Sequence, residues 1–236
     1  MVRKLLFTAL AALASLALHP HAKASAAGWA CLEGFDDVTA LQAHGWRFRN
    51  NSEPAGPGGW VQGNPGAFEA WAGAPDSYAM VTADSGAGPW AVVSDWLATP
   101  LIDFGPNGFG VRQFAFRTRA LPGAANRLVV RLCMQDAQES CELPVARWDD
   151  LGGYSQTLFD INPDLSQGGY PDEWTAFLLE PLDGLPVSGR GRIAFHYYVF
   201  PSPPDGDHGS ILGIDSVTMA GATWCPFDVL FASGFD

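Results

Sequence analysis

The sequence predicts an all-β protein, an antiparallel sandwich in which each sheet turns one face to a core. Three observations lead there. Twenty-seven glycines and eighteen prolines in 236 residues are too many for a helical chain and suit short strands joined by tight turns. Hydrophobic residues make up 47% and charged residues 16%, which provides for a sizeable core and argues against disorder. Three segments alternate with period two. Phe114 and Phe116 oppose Gln113, Arg117 and Arg119. Leu128, Val130 and Leu132 oppose Arg127 and Arg131. Ile193, Phe195, Tyr197 and Val199 oppose Arg192, His196 and Tyr198. An apolar face against an Arg-bearing face describes a sheet with one side in the core, and a one-residue slip would bury the arginines.

The chain opens on a targeting segment. Arg3 and Lys4 precede an apolar run of 14 residues, Leu5 to Leu18, too short for a membrane span. Ala24-Ser25-Ala26 then offers a small-residue cleavage signature, so residues 1–26 are expected to leave as a signal peptide. No second hydrophobic segment follows. The remaining chain carries ten basic residues, all arginine, against twenty-five acids, a balance of −15. Such a surface repels nucleic acid and anionic lipid and is compatible with divalent cations. In an oxidising compartment four cysteines read as two disulfides, with three possible connectivities. Cys133 with Cys141 would staple a hairpin, and Cys31 with Cys225 would join the two ends of the domain.

A first strand is expected at 31–36, one helical turn at 38–44 and a short strand at 45–48. Residues 50–74 are rich in loop formers yet carry Trp60, Phe68 and Trp71, so the segment packs on the sandwich or shows aromatics to a ligand. Further strands are expected at 77–82, 91–97, 101–104, 158–163 and 174–179, with a last one at 211–217. That makes about ten to twelve in one domain.

Several ordered motifs carry a resemblance. Gly59-Trp60-Val61-Gln62-Gly63-Asn64 comes first, then Ala72 to Tyr78, and then Ser94-Asp95-Trp96-Leu97-Ala98-Thr99-Pro100. Asp160-Ile161-Asn162-Pro163, Gly169-Tyr170-Pro171 with Trp174, Ser188 to Tyr197 and Ile214-Asp215-Ser216-Val217 follow. In this the chain resembles a choice-of-anchor J domain, the bacterial surface group related to cleaved adhesin domains. The resemblance implies a jelly-roll β-sandwich of two antiparallel sheets, concanavalin- or galactose-binding-like, over residues 27–221. It also implies secretion or cell-surface exposure, with the periplasm as an alternative, and adhesion or binding rather than catalysis. The tail, 222–236, departs from the family because it has neither a hydrophobic span nor a basic stop-transfer cluster.

Calcium is the cofactor the resemblance implies, and hard cations take several oxygen ligands from carboxylates and turns. Glu33, Asp36, Asp95 and Asp215 are the candidates, with the chain ends converging if Cys31 and Cys225 are bridged. The acidic turn 205–209 lacks the ladder of an EF-hand loop. For a ligand, an extracellular glycan or protein, the candidates are Arg119, Arg192, His196 and Tyr198 on one Arg-bearing sheet surface together with Arg117, Arg127 and Arg131. Guanidinium forks suit carboxylates and tyrosine suits sugar rings. An exposed coplanar set among Trp60, Trp71, Trp90 and Tyr198 would mark a lectin, and two convergent carboxylates in a cleft a hydrolase. No Gly-x-Ser-x-Gly or His-Glu-x-x-His motif is present.

Overall fold

The fold is seen in a computed structural model that describes residues 29–105, 110–200, 209–222 and 228–232. The signal segment, Cys225 and the acidic turn at 205–208 lie outside the described residues. Thirteen strands are found among those described: β1 (Trp29–Glu33), β2 (Arg47–Asn50), β3 (Val61–Gln62), β4 (Ala79–Thr82), β5 (Val93–Ala98), β6 (Ile102–Asp103), β7 (Gln113–Ala120), β8 (Leu128–Met134), β9 (Gln156–Ile161), β10 (Thr175–Leu179), β11 (Arg190–Val199), β12 (Ile211–Ala222) and β13 (Asp228–Ala232). Three short 3-10 turns join them. No helix among the described residues is long and apolar enough to cross a membrane.

The strands form two antiparallel sheets. The first has the order β10-β7-β12-β1-β13, with β4 also on β12 and β3 on β4. The second has the order β2-β5-β11-β8-β9, with β6 also on β11. The segment read as a tail thus supplies an edge strand, β13, paired with β1. The short strand expected at 45–48 begins two residues later, at Arg47.

The predicted apolar faces meet between the sheets. Phe114, Phe116, Ile214 and Met219 come from one, and Leu128, Val130, Ile193, Phe195, Tyr197 and Leu97 from the other. Phe116 stands edge-on to Phe195 at 5.1 Å and stacks on Phe177 at 5.4 Å. Burying side chains of this size stabilises by about 1.5–3 kcal/mol each, which makes this layer the main cohesive element. A bulge in β12, with Ser216 at φ 53°, shifts the alternation by one residue. Leu212 and Ile214 therefore share the core with Val217 and Met219, while Asp215 turns to the outer face.

Parts of both outer faces are covered. On the first sheet, residues 63–78 lie across β12 and β7. Phe68 stacks on Tyr78, and both meet Trp174 edge-on. These rings sit on Gly213, where a β-carbon would stand 2.9 Å from Phe68 and Tyr78. On the second sheet, the segment 135–155 crosses the outer face as a strap. It starts at the Cys133–Cys141 disulfide. Leu143, Tyr154 and the half-buried Leu151 pack there with Trp96, Ala98 and Ala194 in a second, smaller core.

Candidate functional site

Under the strap runs a ladder of rings supplied by alternate positions of β5 and β11. Trp96 stacks on His196 at 3.7 Å, His196 on Tyr198 at 4.6 Å, and Tyr198 on Trp148 of the strap at 6.2 Å. Trp96 and His196 are wholly buried, whereas Tyr198 and Trp148 are half-buried. Phe200, also half-buried, stands edge-on to both Tyr198 (4.8 Å) and Trp148 (5.5 Å). Arg127 lies over Tyr198 at 5.5 Å and makes a two-pronged pair with Asp160 at 2.8 and 2.7 Å. Burial pushes the Tyr198 hydroxyl up to about 12, so it stays protonated. Trp148, Tyr198, Phe200, Arg127 and Asp160 therefore form a partly exposed rim of aromatic rings beside a charge pair.

The inner part of the ladder is closed and wired for structure. Arg131 Nε donates to His196 Nδ1 at 3.3 Å, so the proton of the neutral ring sits on Nε2 and points at Ser94 Oγ, 2.9 Å away. Ser94 Oγ also accepts from Trp96 Nε1 (3.2 Å) and gives its own proton to the Trp148 carbonyl (3.0 Å). Every partner is used. Burial, then the charges of Arg131 and Arg127, hold His196 well below its ordinary pKa. In a nucleophilic Ser–His pair the histidine accepts the serine proton. Here the histidine donates, both side chains are fully buried, and the neighbour on Nδ1 is a cation. This pair ties the strap to the sheet, with donor and acceptor reversed from a nucleophilic Ser–His pair.

The expected Arg-bearing surface is split. Arg117 and Arg119 lie on β7 in the first sheet, while Arg131, Arg192, His196 and Tyr198 lie on β8 and β11 in the second. Arg192 is 7% exposed and donates to the carbonyls of Thr99 (2.6 Å) and Gly45 (3.0 Å), so it closes the sheet end rather than facing a ligand. Arg119 stacks over Phe68 at 4.6 Å and donates to the Asp172 carbonyl. His196 is buried beneath the strap. Of the four ligand candidates, Tyr198 reaches an accessible face on the second sheet. The proposed tryptophan set does not form one plane either: Trp60 is in the core, Trp71 and Trp90 are exposed, and Trp71 belongs to the segment over the first sheet.

The carboxylates divide in the same way. β1 pairs with β12, which brings Glu33 opposite Val217. Asp36 accepts from Ser77 Oγ at 2.6 Å, and Asp215 accepts from the amides of Trp71 (2.8 Å) and Ala72 (3.1 Å), so the two clamp the segment 71–77. Glu33 accepts from the Phe35 amide. Asp95 stands apart on the second sheet, with Ser85 Oγ at 2.6 Å. Asp95 on β5 and Asp215 on β12 belong to different sheets. Burial raises both Asp215 and Asp95, the latter to about 7. Among the described residues, the three-residue group whose ligand atoms lie within 4.8 Å of one another is Cys133, Glu139 and Cys141, and its two cysteines are bonded to each other. Cys31 is also disulfide-bonded, while Cys225 lies outside the described residues.

Sequence reasoning missed Trp148, Phe200 and Asp160. Trp148 sits in a strap without periodicity, and Phe200 follows the last alternating position of β11. Asp160 becomes legible only once β9 is known to pair with β8.

No family model matches the chain, and no curated protein matches it either. Among solved structures it is similar to the K3 cleaved adhesin domain of Lys-gingipain from Porphyromonas gingivalis, at 14% identity and TM-score 0.47, covering 80% of this chain and 96% of that one. It is also similar to two carbohydrate-binding modules of Clostridium thermocellum. For the C-terminal family 22 module of Xyn10B the values are 13% identity and TM-score 0.43, covering 84% and 97% of the two chains. For the family 11 module they are 12% and 0.43, covering 84% and 98%. At this level of similarity, what those domains bind says nothing about this one.

Proposed function

We propose that the protein is a secreted or cell-surface binding module of the choice-of-anchor J kind, without catalytic activity, that holds an extracellular glycan on the rim of Trp148, Tyr198 and Phe200. The observation that carries this reading is the ring ladder. Two half-buried aromatics extend a stack whose inner members are fully buried and hydrogen-bonded, which preorganises the rim for a flat ligand. Aromatic faces serve the apolar face of a sugar ring, and the Arg127–Asp160 pair supplies fixed donors and acceptors beside them. The disulfides support an oxidising compartment. Native affinity gels containing soluble β-glucan, xylan, mannan or galactan test it. At least one polysaccharide is expected to retard the wild type, and Tyr198→Ala and Trp148→Ala should each weaken that retardation roughly tenfold or more, in line with 1–2 kcal/mol for a stacked ring. Equal retardation of both variants would contradict the assignment.

We propose Glu33, Asp36 and Asp215, the last two bonded to the segment 71–77, as carboxylates that would converge on a calcium ion. The support for this is a fully buried Asp215 carboxylate with no ion pair among the described residues. The amides on Asp215 leave the ligand set incomplete, so other oxygen donors have to join. Calcium added to chelator-treated protein is expected to raise Tm, and the rise should vanish in Asp215→Asn. A Tm indifferent to calcium in the wild type removes the metal from the account.

A further inference from the structure

The first sheet carries a second exposed aromatic, and its setting differs from that of the rim. Trp71 is 53% exposed. It is nevertheless held in place: its own amide and that of Ala72 donate to the buried Asp215, which the bulge at Ser216 aims outward. The guanidinium carbon of Arg117, from the outer face of β7, stands 3.9 Å from the centre of the indole. The Arg117 side chain makes no hydrogen bond and no ion pair to any described residue. The ion pairs found there join Arg47 to Glu142, Arg127 to Asp160 and Arg147 to Asp149. Asp215 is directly opposite Arg117 in the sheet register, yet one of its carboxylate oxygens is taken by two backbone amides.

A chain with twenty-five acids against thirteen basic residues thus leaves a guanidinium unpaired beside a fixed, exposed indole. Cation–π contact accounts for where Arg117 rests, at about 0.5–1 kcal/mol on an exposed surface. It does not use the N–H donors at the edge of the guanidinium, which match a carboxylate two at a time. We infer that Trp71 and Arg117 form a second ligand site, on the opposite sheet from the rim, for a uronic acid residue of an acidic polysaccharide. The pyranose would lie against the indole face that Arg117 leaves free, and the guanidinium would swing past the indole edge so that its fork takes the carboxylate. A neutral sugar satisfies the indole alone, and a free anion the arginine alone. The uronate satisfies both, so this site is independent of the rim and of what binds there.

Calorimetric titration with tri-galacturonic acid tests this, with its methyl-esterified form as the neutral control. Binding is expected to the acid form and to be at least roughly tenfold weaker to the ester. Trp71→Ala and Arg117→Gln should each weaken binding of the acid by a similar factor, while Tyr198→Ala leaves it unchanged. Trp71 is exposed and its bonds to Asp215 are backbone bonds, so neither substitution removes a core contact, and circular dichroism checks that both variants fold. Equal affinity for the ester, undiminished binding by Arg117→Gln, loss in Tyr198→Ala, or no binding of the acid by the wild type would each overturn the assignment.

Discussion

Trp96→Ala is expected to lower the free energy of unfolding by about 3–5 kcal/mol, measured by urea denaturation, the usual cost of truncating a buried tryptophan. The indole is wholly buried, but between the second sheet and the strap rather than between the two sheets. Its loss removes the stack with His196 and the contact with Tyr154 at 5.7 Å, and takes one donor from Ser94 Oγ. The strap should loosen before the sandwich does, because its hold on the sheet passes through Trp96, Tyr154 and the Ser94 bond to the Trp148 carbonyl. Amide exchange in 135–155 should therefore accelerate more than exchange in β7 or β12. A loss below about 1 kcal/mol, with exchange in the strap unchanged, would mean that the strap is held elsewhere.

Asp95→Asn should remove a pH dependence that the wild type shows. The Asp95 side chain shares a face of β5 with Val93 and Leu97 and is 1% exposed, with Ser85 Oγ as its hydroxyl partner and no ion pair among the described residues. Burial pushes it up to about 7, against an ordinary 3.8, while the Ser85 bond works the other way. Between these two values the folded state keeps a proton that the unfolded chain has released. Its contribution is fully present below about pH 4 and is lost as pH rises towards 7, by a total on the order of 4 kcal/mol. An asparagine cannot ionise and can still accept from Ser85. The variant is therefore expected to gain on the wild type steadily from about pH 4 to about pH 7.5, and to be the more stable of the two at the upper end. Parallel stability curves over that window would place the Asp95 carboxylate in contact with solvent or a cation.

Much of the sandwich could be read from alternation, because one face of each strand had to be apolar. Phe114 and Phe116, Leu128 to Leu132 and Ile193 to Val199 all point where period two puts them. The same reasoning went astray on the second face of those strands. Arg131, Arg192 and His196 look like a solvated stripe in the sequence, yet each is buried. Alternation separates two faces but cannot say whether the second is covered, and here residues 135–155 cover it. Those residues have no period. Their local signal is Gly152-Gly153 before Tyr154: a β-carbon at Gly153 would stand 2.3 Å from the Glu139 carboxyl, so the chain approaches itself closely there. Nor does spacing assign strands to sheets. Arg119 and Arg192 looked like partners on one surface and lie on different sheets. Asp36 and Asp215 both bind the segment 71–77, Asp36 through Ser77 and Asp215 through the amides of Trp71 and Ala72.

Ligand is expected to meet the rim of the ring ladder while the inner ladder stays closed. The side-chain indole N–H resonances report on it directly, since Trp148 belongs to the rim and Trp96 donates its indole N–H to Ser94 within the closed part. Oligosaccharide from whichever polysaccharide retards the protein in the gels is titrated into labelled protein. The account predicts a progressive shift of the Trp148 indole signal, abolished in Tyr198→Ala, with the Trp96 signal stationary throughout. A Trp148 signal that does not move while the oligosaccharide binds, or a Trp96 signal that moves with it, would contradict the account.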